Sequence, residues 1–168
     1  MNRLLAVLFG MAILFLALPV RAQNGATADD KIFADKAMAA GLAEIAEARI
    51  ALDKTGNDNV RKFAQRMVQD HGAANDELAV VAKSEGLGLP TLPTQADRAK
   101  ADRLGKLSGD EFDRAYLADQ IAAHQAAVAL FLQESKTGQD SALRHFADRA
   151  LPILADHLEM AQSLAGKR

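Results

Sequence analysis

The stretch VRKFAQRMVQDHGAANDELAVV, residues 60–81, decides the fold, because its apolar residues recur at steps of three and four. Such spacing places them on one face of an α-helix that packs against a core. That face is formed by Val60, Phe63, Met67, His71, Ala74, Leu78 and Val81. A titratable imidazole stands in the middle of this apolar face, so the stretch predicts a buried helix with a polar position inside it.

The composition favours an all-α fold. Hydrophobic residues make up 49% of the chain, much of it alanine, while aromatic residues make up only 5%. Runs of the β-branched and aromatic residues that strands prefer are missing. The length of 168 residues is enough for one domain with a core. Cysteine is absent, which excludes disulfides and thiolate metal sites.

The first 22 residues have the features of a signal peptide. Arg3 supplies a positive start, residues 4–18 form an apolar run, and Val20 and Ala22 provide the compact residues of a cleavage region. The run is shorter than the roughly 20 residues of a membrane span, although an uncleaved anchor is the alternative. We expect cleavage near Ala22/Gln23 and a soluble periplasmic or secreted protein, with no membrane span after cleavage.

The charge balance gives no sign of a nucleic-acid partner. Loss of Arg3 and Arg21 with the signal peptide changes the formal charge from −2 to −4, and no basic stripe with interleaved aromatic residues follows. A protein partner in the cell envelope stays open, and the sequence does not give the oligomeric state.

Capping residues, glycines and prolines divide the rest of the chain into helices. Residues 23–28 form a flexible lead-in, and Asp29 or Asp30 caps the first helix of a single domain, residues 29–166. The stretch EGLGLPTLPT, residues 85–94, is a loop. Helices are predicted at about 29–54, 59–84, 95–106, 110–135 and 140–165, the third of them short.

An internal repeat relates the two halves of the domain. VRKFAQR at residues 60–66 recurs as LRHFADR at 143–149, and the preceding turns match as KTGND and KTGQD. Each unit is a helical hairpin, and a longer connection with the short helix joins the two hairpins. The pattern predicts an antiparallel four-helix bundle with both short turns at one end.

Three of the four histidines, His71, His124 and His157, lie in the middle of apolar helical faces. The fourth, His145, points away from the apolar face of its helix and is expected to be solvated. Glu44 lies at the margin of the apolar face of the first helix. A rise of 1.5 Å per residue puts Glu44, His71, His124 and His157 about 15–25 Å from the end assumed to carry the short turns. The four residues are therefore predicted to share one layer.

Imidazole nitrogens and a carboxylate oxygen suit zinc, iron, copper or manganese, and a bundle core is a common place for such a site. Glu44, His71, His124 and His157 are therefore the predicted metal ligands. In the alternative interpretation these four residues hydrogen-bond one another, fix the register of the helices and bind nothing.

Neighbouring acids are weaker candidates. Asp70 and Asp156 each precede a core histidine and are turned by about 100° from it, so they are expected to be flanking surface groups or to support a ligand from behind, and not to bind the metal themselves. Glu47 lies one turn after Glu44 and has the spacing to join it, but we place it on a solvated face. There is no glycine-rich phosphate loop, nucleophile elbow or cysteine nucleophile, so no catalytic residue is predicted.

The motifs F-x3-A…G-x2-E-I, V-x2-F-A-x2-M-V-x-D-H, F-D-x2-Y…H and F-A…L-P…H-L span about residues 31–164. In this chain they are carried by Phe33, Ala37, Gly41, Glu44, Ile45, Val60, Phe63, Ala64, Met67, Val68, Asp70, His71, Phe112, Asp113, Tyr116, His124, Phe146, Ala147, Leu151, Pro152, His157 and Leu158. The pattern resembles the bacterial ferritin-like domain-of-unknown-function family number 4142, whose members are often labelled exported or outer membrane proteins. The resemblance implies a ferritin-like bundle and no established reaction.

Iron-oxidising relatives of ferritin use Glu-x-x-His pairs, which this chain lacks, so di-iron chemistry is not expected. We predict an exported four-helix protein that binds a transition metal at the inner layer, in an envelope or stress-related role. The alternative is a non-catalytic periplasmic interaction module whose inner layer is structural. An enzyme that uses a metal and water at the same layer is a third hypothesis.

Overall fold

The computed structural model describes residues 25–166, and within that range the regular structure is entirely helical. The predicted signal peptide, residues 1–22, lies outside the described residues. None of the helices between residues 25 and 166 combines the length and apolar character that crossing a membrane requires. The helices are α1 Ala28–Lys54, α2 Asp58–Ser84, α3 Gln95–Gly105, α4 Gly109–Thr137 and α5 Ser141–Gly166. The all-α prediction is confirmed.

Side-chain caps fix where the first two helices begin. Thr27 Oγ1 accepts a hydrogen bond from the backbone N–H of Asp30, and Asp30 Oδ2 accepts one from the backbone N–H of Thr27. This reciprocal capping box makes Thr27 the N-cap, so the prediction of Asp29 or Asp30 was wrong. Asn57 caps α2 by accepting from the backbone N–H groups of Asn59 and Val60.

The four long helices pack so that each contacts two others. Helix α1 packs against α2 and α4, and α5 packs against the same two helices, while α3 lies mainly against α1. The buried apolar residues form two clusters. The first joins the N-terminal halves of α1 and α5 to the C-terminal halves of α2 and α4, and contains Phe33, Leu78, Phe131 and Phe146. The second joins the opposite halves and contains Phe63, Met67, Phe112 and Tyr116.

The two short turns lie at opposite ends of α1. Asp30 Oδ1 accepts hydrogen bonds from the backbone N–H groups of Gln139 and Asp140, so the turn before α5 sits beside the start of α1. The turn at residues 55–57 follows the end of α1, about 40 Å away for a helix of this length. The prediction that both turns share one end was wrong, because the connection through α3 returns along the length of the molecule before α4 begins.

Asp30 generates a prediction about stability. Replacing Asp30 with alanine is expected to lower the free energy of unfolding by about 2–4 kcal/mol, because the helix loses its capping box and two backbone N–H groups of the distant turn lose their acceptor. Denaturation by urea measures the change. The exposed neighbour Asp29 provides the control, since Asp29→Ala should change stability by less than about 0.5 kcal/mol. Equal effects of the two substitutions would contradict the role given to Asp30.

Candidate metal centre

Three histidine rings meet inside the molecule, one each from α2, α4 and α5. One nitrogen of His71, one of His124 and one of His157 lie within 4.8 Å of one another. The ring centroids are 5.3–5.5 Å apart. All three side chains are buried, and His124 and His157 are 0% exposed. His145 is exposed, as the sequence predicts.

The histidines meet because each lies near the middle of a long helix and on its buried face. Met67 and Leu78 flank His71 along α2, and Leu154 and Ala161 flank His157 along α5. Ile153 is 42% exposed, so the buried face of α5 passes through Leu154 and not through its neighbour. The distances along the helices that were calculated from the sequence do not explain why the histidines share a layer. That calculation assumed that both short turns lie at one end, so it started α4 and α5 from the wrong ends of the molecule.

Glu44 of α1 completes the layer that the sequence predicts. Its side chain is buried, and its Oε2 atom lies 3.1 Å from Nδ1 of His71. Its Oε1 atom lies 3.4 Å from Nδ1 of His124. All four predicted ligand residues are therefore in one place, with the carboxylate behind the rings of His71 and His124.

Each ring has an inner nitrogen on the side of the other two rings and an outer nitrogen on the opposite side. The outer nitrogen of each ring faces an oxygen acceptor. Besides the His71–Glu44 contact, Nδ1 of His124 lies 2.9 Å from the backbone carbonyl oxygen of Gln120. Nε2 of His157 lies 2.8 Å from Oδ2 of Asp70. A carbonyl oxygen can only accept, so the proton of His124 is on Nδ1. The Asp70 carboxylate likewise holds the proton of His157 on Nε2.

Burial keeps these rings neutral at pH 7. It lowers the pKa of His71 to about 3, with the neighbouring histidines adding to the effect, and it lowers the pKa of His124 to about 4. It also lowers the pKa of His157, although the nearby Asp70 carboxylate opposes that change. A neutral imidazole carries a single N–H, and in His124 and His157 that N–H is used on the outer side.

The inner nitrogens of His124 and His157 are consequently lone pairs directed at one another. Nε2 of His124 and Nδ1 of His157 lie 3.3 Å apart with no proton left to join them. Nε2 of His71 is buried and makes no hydrogen bond to any residue in the range 25–166. Converging lone pairs repel one another, and a cation between them removes that repulsion. The arrangement therefore has the donor atoms of a metal site, together with the outer acceptors that orient histidine ligands.

The protonation of His71 is coupled to that of Glu44. Burial raises the pKa of Glu44 to about 8, and the negative charge of Glu47 adds to the rise. A positive charge at the inner nitrogens favours the ionised carboxylate, which in turn holds the proton of His71 on Nδ1.

Glu47 is buried, and its prediction as a solvated residue was wrong. It is 2% exposed because α3 covers this part of α1, and Lys100 of α3 brings its Nζ atom to 3.8 Å from Oε1 of Glu47. Nε2 of Gln120 donates a hydrogen bond to Oε2 of Glu47 at 2.9 Å. Burial raises the pKa of Glu47 to about 7, although the charge of Lys100 opposes the rise.

The sequence reasoning missed Gln120 and did not identify the histidine that Asp70 contacts. Gln120 lies one helical turn before His124, and that spacing is the signal that could have identified its carbonyl as the acceptor. Asp70 was expected to flank His71, its neighbour in sequence, but it contacts His157 across the interface between α2 and α5. Asp156 is exposed and lies 3.7 Å from Arg66.

Comparison with known proteins identifies the family of this chain. The family described as Domain of unknown function (DUF4142) matches residues 16–164. The chain belongs to the DUF4142 family. A comparison with curated proteins finds no match.

Solved structures of a second family have a similar fold. A DUF305 fragment from Deinococcus radiodurans has a TM-score of 0.76 and 16% identity, over 86% of this chain and 99% of that chain. A DUF305 protein from Streptomyces coelicolor, provisionally described as secreted, has a TM-score of 0.72 and 16% identity, over 83% of this chain and 91% of its own. At this identity the likeness shows the fold alone.

The tautomers of the layer can be measured. In protein treated with a chelator at pH 7, we expect His124 to carry its proton on Nδ1 and His157 on Nε2, because outer acceptors hold both protons. Long-range nitrogen-15 correlation spectra distinguish the two tautomers, and the exposed His145 should show a mixture of both. A proton shared between Nε2 of His124 and Nδ1 of His157 would contradict the arrangement.

Proposed function

We propose that this protein is exported to the periplasm or secreted, and that it binds one divalent transition metal ion through His71, His124 and His157. The observation that carries the proposal is the direction of the imidazole protons. Outer acceptors hold the N–H groups of His124 and His157, which leaves nitrogen lone pairs facing each other inside the layer. A layer that only fixed helix register would need an N–H donor between these two rings.

The spacing of the inner nitrogens supports a single ion. Two imidazole nitrogens bound to one tetrahedral ion at about 2.0–2.1 Å lie roughly 3.3 Å apart. Nε2 of His124 and Nδ1 of His157 have that separation, 3.3 Å, before any ion is bound. All three donor nitrogens lie within 4.8 Å of one another. A contraction of up to about 1.5 Å would bring all three to one centre.

Glu44 takes an orienting role in this proposal. Its Oε2 atom faces Nδ1 of His71 at 3.1 Å, in the way that carboxylates behind histidine ligands fix the ring and its tautomer. Gln120 and Asp70 do the same for His124 and His157 through the contacts described above.

The donor set favours metals that accept imidazole nitrogen, namely zinc, copper or iron, over manganese. Di-iron chemistry is not proposed, because such sites bind their ions through several carboxylates, whereas Glu44 and Asp70 face the outer nitrogens of His71 and His157. No reaction is assigned to the site. The proposed role is metal binding in the cell envelope, for example during a stress response.

We also propose that the four long helices form an antiparallel, ferritin-like bundle, residues 29–166. The contacts of each long helix with two others, the two turns at opposite ends and the long connection through α3 support this arrangement.

Export is supported by the sequence features of residues 1–22 and by the provisional description of the Streptomyces coelicolor relative as secreted.

Metal content tests the main proposal. Purified mature protein is expected to bind about one equivalent of zinc or copper, and a concentration of 100 times Kd should raise the free energy of unfolding by about 2.7 kcal/mol. Both effects should be lost in His71→Ala, His124→Ala and His157→Ala, and both should persist in His145→Ala. Elemental analysis and thermal unfolding give the two measurements. Metal content well below one equivalent, unchanged by His71→Ala, would favour the interaction module with a structural layer.

Asp70 allows a sharper test of the geometry. Asp70→Asn is expected to weaken metal affinity about 10–100-fold, because the acceptor that orients His157 is replaced by a neutral amide. Asp156→Asn is the control, since Asp156 adjoins His157 in sequence but is exposed and faces Arg66. Competition with a coloured chelator measures the affinities. Equal affinities of the two variants would show that Asp70 does not support the site.

A further inference from the structure

A chamber of about 40 Å³ adjoins the histidine layer on the side toward the start of α1. Glu44, His71 and His157 line the part next to the layer. The remaining wall is mostly apolar and includes Ala74, Leu78, Phe131 and Leu154. One water needs about 10–15 Å³ of such space, so the chamber holds roughly three atoms of that size.

Three residues that line this chamber each have a buried polar atom without a hydrogen bond to any described residue between 25 and 166. These atoms are Oε1 of Glu44, Nε2 of His71 and Nδ2 of Asn75. Two of them belong to the layer, but Asn75 has no part in it. Asn75 lies one turn beyond His71 on the same face of α2, so its amide is a donor that lines the same chamber as His71.

Gly41 explains how Asn75 is held there. A Cβ atom at position 41 would collide with Oδ1 of the Asn75 amide, so the amide lies directly against the backbone of α1. Any side chain at position 41 would push the amide out of this place. The glycine on α1 and the asparagine on α2 therefore act together to keep an N–H donor at the chamber.

We propose that the metal ion keeps an open coordination position facing this chamber, and that a small ligand of up to three heavy atoms binds there and accepts a hydrogen bond from Nδ2 of Asn75. The ligand class is water or hydroxide and small anions. The Asn75 amide offers an N–H donor in the chamber wall, so the ligand needs an atom that accepts a hydrogen bond. The carboxyl groups of Glu44 and Asp70 line the same chamber and balance part of the charge of a divalent ion, so both a neutral and an anionic ligand fit. The apolar wall excludes larger molecules. This inference rests on the proposed metal site.

Azide binding to the copper-loaded or cobalt-loaded protein tests the inference, with the charge-transfer or visible absorption of the metal as the signal. Asn75→Leu is expected to weaken azide binding at least tenfold, because the donor is lost while the volume is nearly kept. Ala74→Leu should abolish it by filling the chamber. The controls are Gln69→Leu and Ala79→Leu on exposed positions of the same helix, which should bind azide like the unaltered protein.

The outcomes separate the two proposals. Protein that binds metal but not azide, or that binds azide equally well in Asn75→Leu and Gln69→Leu, would overturn the inference and leave the metal site standing. Protein that binds no metal would overturn both. Metal content is measured in every variant, and loss of metal from Ala74→Leu alone leaves Asn75→Leu to decide.

Discussion

The layer rests on one constraint: a neutral imidazole has a single N–H, and a buried N–H needs an acceptor. The structure meets this constraint from three directions, with the carboxylate of Glu44, the backbone carbonyl of Gln120 and the carboxylate of Asp70. The Gln120 contact lies within α4, whereas the Glu44 contact joins α1 to α2 and the Asp70 contact joins α2 to α5, so these three helices must hold a fixed register for the other two contacts to exist. The acceptors lie on the outer side of the rings. The N–H groups of His124 and His157 therefore face outward, and their nitrogen lone pairs face into the layer.

The parts that the sequence predicts are those that depend on one helix at a time. Spacing along α2 identifies its buried face, and the same spacing identifies His124 and His157 on α4 and α5. The glycine and proline stretch at residues 85–94 and the two KTG turns give nearly correct helix ends. These features follow from local geometry, in which residues three and four apart share a face.

The parts that the sequence did not predict depend on two helices at once. Glu47 is buried because α3 folds back over α1 and places Lys100 beside it, and no pattern within α1 contains that information. The partner of Asp70 is on α5, and the position of the second turn depends on the path of the connection through α3. Gln120 is the exception, since it contacts His124 within α4 through a backbone carbonyl, which every residue possesses, so only its spacing from His124 could have identified it.

The histidine layer also separates the two apolar clusters, which share no residue. Without an ion, each cluster stabilises its own end of the molecule, and at the boundary between them the lone pairs of His124 and His157 oppose one another although the four long helices run through both ends. An ion held by α2, α4 and α5 would join both hairpins at that boundary and make the two ends open together in hydrogen exchange. Metal loading would then set the size of the cooperative unit, with one unit in the loaded protein and two in the metal-free protein.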